Sequence, residues 1–529
     1  GKIMPSQNAP FYTIIYVRGY AMTTAEQDET TADPFCGFNL GSTVYRATPN
    51  KDVPPKKFIF ESPLLRLISD YGYTDVYKNG LDIVDPDWSG SIPAKSVVIY
   101  RYYEQASSLL GSDKTPPITD FAKGLSDLIL RVKELVCGDP RNGVAPADFR
   151  CYLVAHSMGG LVCRTFLQNK AHGSDEARRC VDKVFTYATP HNGIEAAGMN
   201  VPSWLSVNDI KNFNREYMAE YLDLKSHPVY RRTQRVDWLP EECFPSERFF
   251  CMVGTNRSDY EVAKGLSRTF VGDGSDGLVK IANASVWGVD EQGNVSQPSA
   301  TAYAYRSHSG YFGIVNSEEA YQNLTRFLFG NVRADLWLEV ESVQLPPAIQ
   351  GKPVNALYQF EALSAPRAMR WYLTRRTAEE DSVACRNYQD LIDPTKPEAR
   401  RIYLSTVFLD GNASVDKQKE PSKREVAYAL SVNVRTPDYE VEKKFWPNEH
   451  FEGGYLFQDT LVIKLSPPAD GSEEWTVMFD WQSAKPGQAS QKLTYERHQG
   501  GKMQMEVDFG GKQAPGIAGK VRFVVSAWT

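Results

Sequence analysis

The run Cys151 to Val162, reading CYLVAHSMGGLV, constrains this chain more than any other stretch. Its first residues are apolar, as in a strand covered on both faces of a parallel sheet. Ser157 follows, and an apolar helical pattern begins at once. A strand that enters a helix through so tight a turn strains the central residue, and the positions two before and two after it must be small. Those positions are Ala155 and Gly159. Glycine is usual at the first, so the departure is one methyl group. The turn lifts the Ser157 hydroxyl above the sheet edge and points the helix N-terminus at any oxyanion formed there. Ser157 is therefore expected to be a nucleophile, with the backbone N–H of Met158 as an oxyanion donor. The plainer reading, an ordinary strand-to-helix turn that happens to hold a serine, fits the context less well.

The pattern around this block alternates up to about residue 330. Phe11–Val17 (FYTIIYV) and Ser96–Tyr103 (SVVIYRYY) read as buried strands. Phe121, Leu125, Leu128, Ile129, Val132, Leu135 and Val136 recur at three- and four-residue spacing, which predicts an amphipathic helix closed near Gly138 and Pro140. Further strands are expected at Val181–Ala188, Arg248–Val253 and Ala302–Tyr305, and a helix from about Met158 to Asn169. Such alternation predicts a mostly parallel sheet with helices on both faces. Two stretches break the rhythm, at about 21–91 and 195–240, and read as lid-like insertions. The second carries Trp204, Phe213, Tyr217, Met218, Tyr221 and Leu222; a packed helical layer is its alternative. After about Ala334, short β-branched and aromatic runs separated by polar, Gly and Pro turns predict an antiparallel β-sandwich of eight or more strands. The expected division is an α/β catalytic domain over 1–333 and a β-sandwich accessory domain over 334–529.

A serine hydroxyl needs a base and an orienting acid, and on a sheet of this kind they follow it in the order acid, then histidine. Of the 7 histidines, His308, His450 and His498 come late enough. The last two fall in the predicted β-sandwich. That leaves His308, in the polar loop YRSHSG after a short strand. For the acid, the loop VGDGSDGLV offers Asp276 first and Asp273 in reserve. An EF-hand counted from Asp273 would need a glutamate where Ala284 stands, so no calcium loop is expected. A second oxyanion donor is expected from the loop after the first strand, Val17-Arg18-Gly19-Tyr20, where Gly19 lets the Tyr20 N–H turn inward. Arg18 is read as structural.

Composition narrows the remaining classes. The formal net charge is -6 and no Lys/Arg-rich run is present, so no nucleic-acid partner is expected. The 8 cysteines form no CxxC pair or zinc pattern; no metal or organic cofactor is expected, and the thiols are expected to be reduced. No stretch approaches the roughly 18–20 apolar residues of a membrane-spanning helix, and residues 1–5 show no signal-peptide core. A cytoplasmic place, or export without a leader, follows as the expectation.

LVAHSMGGLVCR, the segment Tyr187-Ala188-Thr189-Pro190-His191-Asn192-Gly193, Ser275-Asp276-Gly277-Leu278-Val279 and the later His308 together resemble bacterial lipases and the lipase-like serine esterases that include the GPI inositol-deacylase type. The resemblance spans roughly residues 11–313. It implies an α/β-hydrolase fold with Ser157 as nucleophile, Asp276 as acid and His308 as base. The residue after that family's His-Gly pair gives an oxyanion N–H and corresponds to Tyr20; Arg18 stands here in place of the family's histidine. His191 is expected to support the end of a strand. The activity so implied is carboxylic-ester hydrolysis on an ester or lipid substrate, a phospholipase included, with transient contact to a membrane surface. A leaderless phospholipase delivered by a bacterial secretion machine is one form of it. An amidase, thioesterase or acyltransferase would use the same triad, and a binding protein retaining a hydrolase-like fold is the non-catalytic alternative. The partner of the β-sandwich is left open.

Overall fold

A computed structural model describes residues 9–19, 44–46, 56–58, 63–76, 80–102, 117–194, 211–255, 285–305, 314–367, 369, 371–380, 382–410, 426–466, 474–484 and 491–529. The frame of the first part is a parallel sheet of seven strands: β1 (Thr13–Val17), β2 (Thr74–Asp75), β3 (Ser96–Tyr100), β4 (Cys151–His156), β5 (Val181–Tyr187), β6 (Phe249–Gly254) and β7 (Ala300–Ala304). Their spatial order is β7-β6-β5-β4-β1-β3-β2, and every neighbouring pair runs parallel. Successive residues of β1 point to opposite faces and both are covered. Ile15 and Val17 join a core with α2 (Ile118–Cys137) and α3 (Met158–Gln168), through Phe121, Leu125, Leu161 and Phe166. Ile14 and Tyr16 join the opposite core with α1 (Pro63–Tyr71) and α6 (Glu318–Phe329), through Leu64, Leu67, Leu324 and Phe327. This is the α/β-hydrolase fold, with helices on both faces of a parallel sheet.

The stretch read as a first insertion is part fold. Within 21–91, α1 packs on the sheet, and β2 adds the strand next to β3. Two-residue β2 is too short for periodicity to reveal. The described part of the second insertion, from residue 211, is a packed layer. It holds α4 (Arg215–Tyr221) and α5 (Pro228–Thr233), with Phe213, Met218, Tyr221, Leu222 and Trp238 all buried in the core that contains α3. Trp204 lies outside the described residues.

From Val332 onward the strands are antiparallel: β8 (Val332–Gln344), β9 (Val354–Pro366), β10 (Thr374–Arg376), β11 (Ala384–Asn387), β12 (Arg401–Leu409), β13 (Val426–Val441), β14 (Glu449–Ser466), β15 (Thr476–Trp481), β16 (Gln491–Lys492), β17 (Tyr495–Arg497), β18 (Met503–Gly510) and β19 (Gly516–Ala527). One sheet runs β12-β8-β19-β18-β17, the other β10-β9-β13-β14-β15-β16, with β11 on β9. Side chains of both sheets, among them Leu338, Val521, Phe360 and Val432, share one core, which makes the unit a sandwich.

The sandwich is joined tightly to the hydrolase sheet. Phe408 and Trp528 enter the core beneath β6 and α6, with ring centroids 5.1 and 5.7 Å from that of Phe327. The Trp528 indole N–H donates to the Phe327 carbonyl at 2.7 Å. The outer rim of β7 is answered by side chains: Thr301 N–H donates to the Tyr403 hydroxyl, Tyr303 N–H to Thr374 Oγ1, and the Ser405 hydroxyl to the Thr301 carbonyl. An edge strand otherwise exposes these groups as a template for another chain.

Candidate active site

The sheet order reverses at β1. The chain passes from β1 to β3 on one side and returns to β4 on the other. In open parallel sheets, ligands bind in the crevice beyond the carboxyl ends of the strands at such a switch point. The residues there are Arg18 and Gly19 after β1, and Ser157 after β4.

Ser157 has φ 54° and ψ −125°, an unusual conformation for a residue with a side chain. Its backbone is over-determined. Its N–H donates to the Tyr187 carbonyl (2.8 Å), and its carbonyl accepts from Thr189 Oγ1 (2.7 Å) and from Gly160 N–H (3.0 Å). The next residue of β5's exit, Ala188, also has positive φ, at 50°. The elbow is closely surrounded. A Cβ on Gly159 would overlap the Val17 carbonyl oxygen, and one on Gly19 would fall 2.6 Å from Ser157 Cβ and 3.2 Å from Met158 N. Ala155 is fully buried. The small residues that the sequence pattern demanded are therefore fixed by β1 lying directly against the turn.

The Ser157 hydroxyl is buried and has no hydrogen-bond partner among the described residues. An orphaned hydroxyl in a strained turn suits a group held ready for another partner. Met158 is the first residue of α3, so its N–H has no intrahelical acceptor. Gly19 brings the loop after β1 against that N–H. Tyr20, Asp273, Asp276 and His308 lie outside the described residues. The chain enters the segment holding Asp276 from the carboxyl end of β6, and His308 stands four positions beyond Ala304, the end of β7. In a parallel sheet these ends share one edge with the end of β4.

The other histidines are engaged or distant. Arg18, itself buried, brings Nη1 to 2.6 Å from His156 Nδ1. Arginine can only donate, so this imidazole accepts at Nδ1 and carries its proton on Nε2. His191 is equally buried. Its Nε2 lies 3.1 Å from Thr186 Oγ1, which itself donates to the Phe250 carbonyl, and its Nδ1 faces Arg164 Nη1 at 3.5 Å. Burial first, and the Arg164 charge second, push its pKa well below the ordinary value, so it stays neutral and structural. Arg164, on α3, also reaches the carbonyls of His191, Val236 and Trp238. Burial lowers its pKa to about 10, against the pull of Asp237. His172 follows the far end of α3, and His227 caps α5 through its own Nδ1. His450 and His498 pair with Asp438 and Glu496 in the sandwich.

The direct approach of Gly19 to Ser157, the Arg18–His156 pair and the Thr189 hydroxyl on the Ser157 carbonyl were not anticipated from sequence. Only the unusual Arg18-Gly19 pair and the Thr-Pro after β5 hinted at them. None of the seven described cysteines is in a disulfide, and no helix among the described residues is long and apolar enough to cross a membrane.

No family model matches the chain, and no curated protein matches it. Three solved structures are similar in parts. The Bacillus licheniformis lipase BlEst2 in mature form shares 12% identity, covering 62% of this chain and 94% of its own, with a TM-score of 0.26. The lin2722 gene product of Listeria innocua shares 10%, covering 60% and 94%, with a TM-score of 0.24. Phospholipase PlaB of Legionella pneumophila, in complex with thio-NAD, shares 12%, covering 83% and 89%, with a TM-score of 0.28. Likenesses this distant transfer no activity, and the fold stands on the chain's own topology.

Proposed function

We propose that the chain is a serine hydrolase of carboxylic esters, with Ser157 as nucleophile, His308 as base and Asp276 as orienting acid. One observation carries the reading: Ser157 sits in a strained, sterically enforced elbow at the topological switch point, with a buried hydroxyl that no described group engages. Backbone strain of this kind costs of order 1–3 kcal/mol and persists where a fixed side-chain position is used.

His308 takes the Ser157 proton as Oγ attacks the ester carbonyl, and the carbonyl electron pair moves onto oxygen. The N–H groups of Met158 and Tyr20 hold that oxyanion. Collapse expels the alcohol, protonated by His308, and leaves an acyl-Ser157. Water activated by His308 then releases the acid, while Asp276 stabilises the imidazolium in both halves. The assignment of the base is supported by elimination, since each of the six other histidines is occupied or remote. The lipase-like motifs around Ser157 favour a lipid ester as substrate.

Labelling with a fluorophosphonate, followed by peptide mapping, tests the nucleophile. The reading expects one adduct, on Ser157, absent in His308→Ala at matched concentration. An adduct confined to another serine would overturn it.

A further inference from the structure

We propose that the tip of the β13–β14 hairpin is a docking site for a phospholipid surface. Val426–Val441 and Glu449–Ser466 pair down to Val441 opposite Glu449, leaving the turn 442–448. That turn presents Phe445 at 90% and Trp446 at 75% exposure, the most exposed large apolar side chains among the described residues. Single exposed apolar residues are ordinary on a protein surface, but two adjacent aromatic rings at a turn are not.

The charges around them fit a lipid headgroup. The turn 442–448, Glu-Lys-Lys-Phe-Trp-Pro-Asn, sets two lysines directly before the rings and one carboxylate before the lysines. The nearby carboxylates are each engaged at the surface: Glu442, in the turn, by Asn355, and in the flanking strands Glu440 by Asn448, Glu449 by Lys443 and Asp438 by His450. Lys444 forms no ion pair among the described residues. An indole ring beside lysines is the composition that settles at the boundary between headgroup and acyl chain, where the ring is desolvated and the ammonium reaches phosphate.

The turn is also held in place. Val441 pairs with Val354 of β9 on one side and Glu449 of β14 on the other, so three strands support it to its base. Residues 449–458 of β14 pair with no outer strand among the described residues. That edge carries Glu449, His450 and Glu452, charges that discourage strand addition by a second copy and so favour the lipid surface as occupant.

Docking is read with the nucleophile removed, so its failure and the failure of the hydrolase assignment are separate results. The full chain carrying Ser157→Ala is sedimented with sucrose-loaded phosphatidylcholine vesicles, plain or containing about one-fifth phosphatidylglycerol. Adding Phe445→Ala and Trp446→Ala lowers the vesicle-bound fraction about tenfold or more, because two rings no longer leave water. The same pair of substitutions on an otherwise unchanged chain leaves turnover of a short soluble ester as it was. Lys443→Gln with Lys444→Gln weakens binding to the anionic vesicles more than to the plain ones. Absence of vesicle binding by the parent, or equal binding by the aromatic variant, overturns the proposal. A variant that still binds vesicles but loses self-association in light scattering would assign the tip to a second copy instead.

Discussion

At the scale of single residues, close enclosure of the elbow fixes the position of Ser157. Gly159 has no room for a Cβ against the Val17 carbonyl. Gly159→Ala is therefore expected to destabilise the fold by about 1–3 kcal/mol, as overpacking does, and to displace Ser157; thermal unfolding and ester turnover measure the two effects. The buried ammonium of Lys183 offers a different test. It donates to the Leu328 carbonyl at 2.8 Å and lies 4.9 Å from the centre of the Trp528 ring. Burial, assisted by Arg248, lowers its pKa to about 7 from an ordinary 10.5. Between those values the unfolded chain binds a proton that the folded chain does not, so the contribution of Lys183 to stability rises with pH. The slope is about 1.4 kcal/mol per pH unit. Burial raises the thiol of Cys163, which acts in the opposite sense at higher pH, so the useful window is about pH 7–8.5. Urea titrations across it should show a shallower pH dependence for Lys183→Met; parallel curves for the two proteins would contradict the assignment. Of the candidate site, the strained elbow at Ser157 was legible in sequence because such a turn imposes a local pattern. The approach of Gly19 was not, because residues 138 positions apart meet only once the sheet has formed.

Among the elements, α3 bears the largest share. It starts at the strained elbow directly after Ser157, every one of its residues is buried, and its Arg164 side chain gathers carbonyls from the segments at 191 and 236–238. Arg164→Met would leave those carbonyls buried without a donor, at a cost of about 3–5 kcal/mol. Chemical denaturation measures that loss. A loss below about 1 kcal/mol would mean that water or a shifted neighbour replaces the guanidinium. The long elements were legible because their periodicity is strong: the spacing from Phe121 to Val136 gave a helix that runs Ile118–Cys137. The short ones were not. Thr74–Asp75 becomes a strand through its neighbour β3, and the helices after residue 211 are core, although their aromatic content suggested a lid. In both cases tertiary contact decides what local composition leaves open.

For the whole molecule, the sequence break near residue 334 separates two kinds of texture, but the packing does not break there. We propose 333/334 as the point where the two cores divide in the chain. Across it, Phe408 and Trp528 complete the apolar layer beneath β6 and α6, and Tyr403, Thr374 and Ser405 answer the rim of β7. Such contacts between distant runs leave no mark in a local pattern. A chain ending at residue 333 would expose Phe250 and Phe327 and an unanswered strand edge, and is expected to aggregate. Within the full chain, Trp528→Ala should cost about 3–5 kcal/mol and lower the unfolding temperature of the α/β part together with that of the sandwich. Two separate transitions, with only one of them moved, would show that the halves fold independently.

The proposed role of Ser157 as nucleophile is read from the ratio of kcat/KM between the wild type and Ser157→Ala on a p-nitrophenyl ester. A nucleophilic Ser157 gives a fall on the order of 10⁴–10⁶, with the variant as stable as the parent, since the lost hydroxyl makes no bond to any described group. Undiminished hydrolysis by the alanine variant would contradict it.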